Sequence, residues 1–193
     1  MVLIIKILFQ KIESLIVYSL RRFSNKCSVV MLKLGSKSIQ LGANTVVKSY
    51  KSIRTIDGGN ITIGQNCCID NGAEIYAKKG KIIIGDNVYI GKGTYIVSQD
   101  SIKIGNDCQI AAYCIIRDSN HGINKSQLIR NQKDTIQKLF IGNDVWIGSH
   151  VSITPGTKLN DGVVIGTHSV VNKEIEEYGI AVGIPAKLIK YRQ

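Results

Sequence analysis

A long polar stretch between Ile116 and Leu139 holds the residues best suited to acid–base chemistry. It reads RDSNHGINKSQLIRNQKDTIQK, too long for an ordinary turn, and such loops usually carry function. Its His121 could serve as a general base, because an imidazole with an ordinary pKa near ~6.5 can take a proton at neutral pH. Asp118 and Asn120 stand close enough in sequence to orient that ring, although both residue types also favour loop turns.

The elements that must position these residues follow a period of six. Aliphatic residues recur at every sixth position from Ile141 to Val171, and a small or β-branched residue stands four places after most of them. Neither a helix nor plain strand alternation has this period, whereas a short strand followed by a sharp turn does. Three such units would close a triangular coil of eighteen residues, and successive coils would stack by parallel pairing.

The same period continues upstream and predicts about six coils. The upstream inward positions are Leu41, Thr45, Val47, Ile63, Cys67, Ile69, Ala73, Ile75, Ile84, Val88, Ile90, Thr94, Ile96, Ile104, Cys108, Ile110, Cys114 and Ile116. The step from Ile104 to Ile141 exceeds one coil by nineteen residues, so one coil extrudes a loop over 117–139. Cysteines at the small inward position are predicted to be core thiols and not nucleophiles.

Composition narrows the class of protein further. The chain has 193 residues, 44% of them hydrophobic, with 19 glycines and a net charge of +11. This composition indicates a globular chain with anionic partners, but nothing resembles a basic stripe with interleaved aromatics, so nucleic acid is disfavoured. Five cysteines without a cleavable signal favour reduced thiols in the cytoplasm, without disulfides.

Residues 1–33 are predicted to form an amphipathic helix. They contain six of the basic residues and one acid, Glu13, and charged residues interrupt every apolar run before it could span a membrane. The apolar stripe consists of Ile5, Phe9, Ile12, Ile16 and Leu20. It could pack on the body or on a neighbouring subunit, which we favour, or lie on the inner, anionic face of a membrane. The domain division is therefore 1–33 and 34–193.

With this repeat, the chain resembles the hexapeptide-repeat acyltransferases, which include galactoside, maltose and serine acetyltransferases. The resemblance covers roughly residues 41–190 and implies an all-β, left-handed parallel β-helix closed by a short C-terminal helix. Its left-handedness comes from the resemblance alone, because parallel crossovers are normally right-handed. The resemblance also implies a homotrimer with its sites between subunits, where His121 of one chain would face Trp146 of another.

The resemblance assigns roles to residues outside the loop. The context CIIRDSNHGI matches that of the family's catalytic histidine, which implies that His121 takes the proton of an acceptor hydroxyl as it attacks the thioester of acetyl-CoA. Direct transfer needs no cysteine acyl-enzyme. Further matches imply that acetyl-CoA is bound by residues in VWIGSHV, VVIGTHSVVNKEI and GIPAKLIK, namely Trp146, Ser149, Thr167, Lys173 and Lys187. Trp146 is predicted to be exposed, since it takes a slot that does not point inward.

The acceptor is not fixed by the resemblance. Where galactoside-type enzymes carry an acceptor-binding asparagine, this chain has Gly91, and Tyr95 or Lys92 could substitute for it. A sugar or glycan-precursor hydroxyl is the leading interpretation, and the basic N-terminal segment favours envelope or capsular polysaccharide assembly. N-acetylation of a nucleotide-linked amino sugar, or acetylation of an antibiotic or of serine, stays open.

Two alternatives from other classes of protein follow from the sequence. His150 and His168 stand eighteen residues apart and should stack on one edge, which could suit a metal, but the four-residue histidine spacing of β-helix carbonic anhydrases is absent. Solvent-facing corner positions are favoured, and no metal is expected. A non-catalytic trimeric scaffold is the other alternative, and the histidine-bearing loop argues against it.

Overall fold

The protein is described by a computed structural model over Leu15, Ile16, Ser19, Cys27, Val29, Val30, Leu32 and residues 36–193. The strands of the first half are β1 (Ile39–Leu41), β2 (Val46–Val47), β3 (Ile53–Ile56), β4 (Asn60–Ile63), β5 (Cys68–Ile69), β6 (Glu74–Lys78), β7 (Lys81–Ile84), β8 (Tyr89–Ile90), β9 (Tyr95–Ser98), β10 (Ser101–Ile104) and β11 (Gln109–Ile110). Those of the second half are β12 (Ile115–Arg117), β13 (Ser119–Asn120), β14 (Thr135–Ile136), β15 (Leu139–Ile141), β16 (Trp146–Ile147), β17 (Ser152–Ile153), β18 (Lys158–Leu159), β19 (Val164–Ile165), β20 (Val170–Val171), β21 (Gly179–Gly183) and β22 (Ala186–Tyr191). Two 3₁₀ turns span Tyr50–Ser52 and Ile129–Asn131.

The strands form three parallel sheets that wrap one column. Sheet A has the order β1-β4-β7-β10-β15-β18, sheet B the order β2-β5-β8-β11-β16-β19-β21-β22, and sheet C the order β20-β17-β12-β9-β6-β3. The chain passes from A to B to C and then begins the next coil on A. Apart from the final pair, β21 with β22, strands in these sheets pair in parallel with strands of the adjacent coils. The predicted parallel solenoid of about six coils is confirmed.

The aliphatic residues at every sixth position form the core of this column. Ile90, Ile110 and Ile147 stack in register on successive strands of sheet B, and each is fully buried. All the inward positions predicted from the repeat are buried, including the polar Thr94 and Ser169. The column therefore buries a continuous apolar interior that no single coil could bury alone.

Residues in the left-handed region of backbone space make the corners between sheets. At the corner between A and B the positions with φ between 52° and 59° are Asn44, Asn66, Asn87, Asp107 and Asp144. Asn and Asp tolerate this conformation better than other side chains with a Cβ. Their side chains also form a ladder along the column, in which Asn66 Nδ2 donates to Asn87 Oδ1 at 3.3 Å and Asn87 Nδ2 to Asp107 Oδ1 at 2.9 Å.

Within residues 36–193 the chain leaves the column once between coils, at the corner between sheets C and A. Arg117 still pairs with Val97 in sheet C, and Leu139 already pairs with Ile102 in sheet A. The excursion therefore spans residues 118–138, slightly shorter than the predicted 117–139. Its base is an antiparallel pair of strands, β13 and β14.

The C-terminal end of the column is a strand, so the predicted C-terminal helix is wrong. β22 runs back antiparallel to β21, with Lys187 opposite Val182. The reversal passes through Gly183, with φ of +103°, and Pro185, whose ring disfavours helical backbone in the residue before it. By pairing with β21, β22 satisfies backbone groups that the last coil would otherwise leave unpaired.

The predicted N-terminal helix lies mostly outside the described residues. Those described between Leu15 and Leu32 have helical backbone; Leu32 is buried in the core cluster and Val29 packs against it, whereas Ile16 is exposed. Within the described part of the chain, no helix is both long and apolar enough to cross a bilayer.

Candidate functional site

The loop hairpin brings His121 next to an acidic residue that lies thirteen positions away in sequence. Asn120 pairs with Thr135 across β13 and β14, so the residues just beyond that pair face each other. His121 Nδ1 lies 2.9 Å from Asp134 Oδ1. A carboxylate can only accept, so Nδ1 carries the hydrogen in this contact and the neutral ring keeps a free lone pair on Nε2. This is the arrangement that a general base requires.

The pair is accessible from solvent on one side and held on the other. The His121 side chain is 70% exposed and that of Asp134 27%. Gln99 Nε2 donates to Asp134 Oδ2 at 2.6 Å. This hydrogen bond, followed by the one from His121, holds the pKa of Asp134 below its ordinary value, so the carboxylate stays ionised beside the imidazole. Neither Asp134 nor Gln99 is predicted from the sequence; only a predicted hairpin within the loop could have pointed to Asp134.

Asp118, predicted to assist His121, instead anchors the loop to the column. It is fully buried, and its two carboxylate oxygens accept hydrogen bonds from Ser98 Oγ at 2.7 Å, the Gln99 amide at 2.8 Å and the Asp100 amide at 2.9 Å. A buried carboxylate needs such donors to offset its desolvation. Its oxygens are therefore committed to the preceding coil, and the carboxylate beside His121 is Asp134.

Asn120, the other residue predicted to orient the ring, sits in β13 with an exposed side chain. Its backbone carbonyl accepts a hydrogen bond from Thr135 Oγ1 at 3.3 Å. Asn120 thus borders His121 and helps to close the hairpin, while the side chain that accepts the hydrogen bond of the ring is Asp134.

Three of the residues predicted to bind acetyl-CoA lie on sheet B and the corner that follows it. Trp146 projects outward from β16 between Gln109 and Val164, and 56% of it is exposed. Ser149 and Thr167 occupy the same corner in successive coils, and the His168 amide donates to the Ser149 carbonyl at 3.0 Å. Ser149 and Thr167 therefore stack along the column, and Trp146 lies on the strand that leads into the Ser149 corner.

The remaining two residues of that set lie apart from each other. Lys187 is exposed on β22, at the edge of sheet B. Lys173 is exposed just after β20, at the corner between C and A that also bears the loop. Within one chain, His121 and Trp146 are thus separated by the column itself, because sheet B lies opposite that corner.

The prediction that the inward cysteines are core thiols is confirmed. Cys67, Cys108 and Cys114 are buried, and burial raises the pKa of all three, that of Cys108 to about 11. A protonated, buried thiol is a poor nucleophile. Cys68 is half-buried on the outer face of β5, where desolvation also raises its pKa.

His150 and His168 stack as the repeat predicts. Their ring centroids lie 4.8 Å apart with an angle of 14° between planes, and Tyr113 continues the row at 5.2 Å from His150. These corner residues have φ near 60°. In the described residues no group of three or more His, Cys, Asp or Glu side chains could hold a metal ion.

Comparison with known proteins shows that the repeats of this column resemble those of bacterial transferases. Residues 139–173 match the family model "Bacterial transferase hexapeptide (six repeats)", and residues 81–116 match "Hexapeptide repeat of succinyl-transferase". WbbJ of Escherichia coli (strain K12), named as a lipopolysaccharide biosynthesis O-acetyl transferase, is 37% identical over 141 residues, which cover 68% of this chain and 72% of WbbJ.

One further sequence relative and one solved structure are also acetyltransferases by name. Rv3034c of Mycobacterium tuberculosis (strain ATCC 25618 / H37Rv), named as an acetyltransferase, is 37% identical over 134 residues, which cover 69% of this chain but only 45% of that protein. A galactoside acetyltransferase solved in complex with coenzyme A superposes with a TM-score of 0.55 at 26% identity, over 89% of this chain and 80% of the other.

Proposed function

We propose that this chain, which belongs to the hexapeptide-repeat family of acyltransferases, transfers an acetyl group from acetyl-CoA to a hydroxyl of a sugar or glycan precursor. The observation that carries the proposal is the His121–Asp134 pair, an accessible imidazole with an ionised carboxylate behind it, on the one loop that leaves the described column. The family membership supplies the reaction class, and WbbJ supplies the acceptor class.

The geometry supports a direct transfer. Nε2 of His121 takes the proton of the acceptor hydroxyl as its oxygen attacks the thioester carbonyl carbon. The tetrahedral intermediate collapses with loss of the C–S bond, and the imidazolium returns the proton to the sulfur of CoA. Asp134 stabilises the transient imidazolium through Nδ1–H. The raised pKa of the buried thiols supports a route without a cysteine acyl-enzyme.

Acetyl-CoA is proposed to lie along the surface formed by Trp146, Ser149 and Thr167, with Lys187 of that chain and Lys173 of a neighbouring copy meeting its phosphates. Ser149 and Thr167 follow each other along the column in successive coils, and Trp146 offers an aromatic surface on the strand before Ser149. Lys187 stands on β22 at the end of sheet B, two strands beyond β19. A protonated lysine attracts phosphate as a point charge. No metal is part of the proposal.

The complete site is proposed to form between copies of the chain, in a homotrimer of left-handed columns. Because His121 and Trp146 stand on opposite sides of one column, both can meet one acetyl-CoA only if a second copy supplies one of them. The loop also exposes apolar side chains, with Ile123 at 84%, Leu128 at 61% and Ile129 at 55%. Seating the loop on a neighbour would cover them. Light scattering should give three times the chain mass, and a monomer would contradict this site.

The decisive assay measures thiol release from acetyl-CoA with a panel of glycans and nucleotide sugars. A hydroxyl acceptor should give an ester, which alkaline hydroxylamine cleaves, whereas the alternative, acetylation of an amino sugar, should give a resistant amide. Mass spectrometry of a cell-derived glycan pool after incubation should identify the acceptor. Absence of thiol release with every acceptor, from a chain that still forms trimers, would favour the scaffold alternative.

The place of the N-terminal segment stays a prediction. The burial of Leu32 and the packing of Val29 against the core support docking of the end of that segment on the column. Its basic residues also suit the inner face of a membrane, where glycan intermediates are assembled. Flotation with vesicles containing anionic lipids would distinguish membrane contact from docking alone.

A further inference from the structure

Gln99 connects the regular column to the chemistry of the loop. It follows β9 at the corner between sheets C and A, where its side chain is half-buried. Its side-chain amide donates two hydrogen bonds into the loop, to Asp134 Oδ2 at 2.6 Å and to Ser119 Oγ at 3.1 Å. Ser119 and Asp134 belong to the two sides of the loop hairpin, so one side chain ties both sides to the column.

The backbone of Gln99 is itself held by a buried group. Its amide donates to Asp118 Oδ1 at 2.8 Å, and the neighbouring Asp100 amide donates to Asp118 Oδ2 at 2.9 Å. Asp118 is fully buried, so these contacts are shielded from competing water. The Gln99 side chain therefore extends from a fixed point.

The contact with His121 depends on this chain of bonds. The imidazole itself is mostly exposed, and the bond that the structure gives its ring is the one from Nδ1 to Asp134 Oδ1. A single hydrogen bond on an exposed ring fixes the ring only if the acceptor is fixed. The other oxygen of Asp134 is held by Gln99, which orients the carboxylate so that Oδ1 faces the ring.

We propose that Gln99 is a positioning residue of the transfer site: by holding Asp134, it keeps His121 in the tautomer with hydrogen on Nδ1 and a free Nε2. The role rests on the proposed function for its catalytic consequence, but the tautomer is a property of the folded chain alone. Without the bond from Gln99 the carboxylate can turn away, and the neutral imidazole populates both tautomers. Only one of them is a competent base.

The test compares Gln99→Met, which keeps the length of the side chain and removes its donor, with Gln40→Met as the matched control. Gln40 is exposed on β1, far from the loop. The tautomer is measured from the imidazole ¹⁵N chemical shifts, and the chain has only three histidines, so comparison with His121→Ala assigns the signals. Gln99→Met should convert the His121 signals from one tautomer to a mixture. It should also lower kcat about ten-fold, with KM for acetyl-CoA within about two-fold.

Each outcome bears on one proposal. A His121 tautomer that is unchanged in Gln99→Met overturns the positioning role, whatever happens to activity. A mixed tautomer with an unchanged kcat also overturns it. If the wild type releases no CoA thiol with any acceptor but its tautomer responds to Gln99, the positioning stands and the proposed reaction fails. Should Gln99→Met not fold, Gln99→Asn, whose amide is too short to reach Asp134, gives the same comparison.

Discussion

The column and the loop are built on opposite principles. In the column, each type of position recurs from coil to coil, so that a buried isoleucine such as Ile110 has equivalents above and below it on the same sheet. In the loop nothing recurs: His121, Asp134 and their hairpin occur once. The column is thus redundant in its packing, and the loop depends on single contacts.

This difference separates stability from chemistry in the molecule. The stacked coils supply the buried apolar area, while the loop contributes mostly exposed side chains and is joined to the column by a few polar bonds. Substitutions in the apolar core of the column should therefore change the free energy of unfolding, and substitutions at the His121–Asp134 pair of the loop should change turnover. The predictions below test that division in order of decreasing effect.

The largest effect is expected for His121→Ala. Loss of the general base should lower kcat about 10³-fold, because proton removal from the hydroxyl then falls to water. The free energy of unfolding should stay within about 0.5 kcal/mol, since the ring is exposed. The matched control is His168→Asn, because asparagine tolerates the φ of 57° at that corner. A variant that retains more than about a tenth of wild-type kcat would remove His121 from the mechanism.

Ile110→Ala should give the largest loss of stability. Ile110 is fully buried in the middle of sheet B, and removing its branch leaves a cavity between neighbouring coils. We expect a loss of about 3 kcal/mol in the free energy of unfolding, measured by urea denaturation. Lys125→Ala in the loop is the control, because Lys125 is exposed and is not one of the apolar side chains that a neighbour would cover. Equal losses in the two variants would contradict the division between column and loop.

The column could be predicted almost completely from the sequence, because the same residue types recur at equivalent positions in every coil. An inward position such as Ile90 or Ile147 has several equivalents, so local irregularities do not hide the period. The C-terminal strand escaped prediction because β22 has no equivalent in the coils and forms through pairing with β21. Asp134 and Gln99 escaped for the same reason, since long-range hydrogen bonds that occur once leave no pattern in the sequence.

The two aspartates of the loop should show opposite defects. Asp118→Asn replaces a buried acceptor with an amide whose N–H₂ must face donors, and it should cost about 2 kcal/mol of unfolding free energy. Asp134→Asn should leave stability within about 0.5 kcal/mol and lower kcat about ten- to a hundred-fold, because the ring then loses its ionised partner. For each variant, urea denaturation gives the free energy of unfolding and a steady-state assay of the same preparation gives kcat. The reverse assignment would show that Asp118 is the carboxylate that serves His121.

The smallest effect concerns an ion pair on the column itself. Lys48 Nζ lies 2.8 Å from Asp70 Oδ1, and Tyr89 OH donates to Asp70 Oδ2 at 2.9 Å. The bond from Lys48 holds the pKa of Asp70 below its ordinary 3.8, and the same bond raises that of Lys48 above its ordinary 10.5. The pair is partly exposed, so Lys48→Met should cost only about 0.5 kcal/mol at neutral pH.

The pH dependence of that cost follows from the two pKa shifts. A lowered carboxyl pKa stabilises the fold above the ordinary value of 3.8, and its contribution is lost as the pH falls through the lowered value. A raised lysine pKa stabilises it below 10.5, and its contribution is lost as the pH rises through the raised value. The difference between wild type and Lys48→Met should therefore be constant between these limits and shrink outside them, with Lys37→Met, at an exposed position, as control. A difference that persists at pH values where Asp70 is protonated would assign the effect to packing of the lysine methylenes instead of its charge.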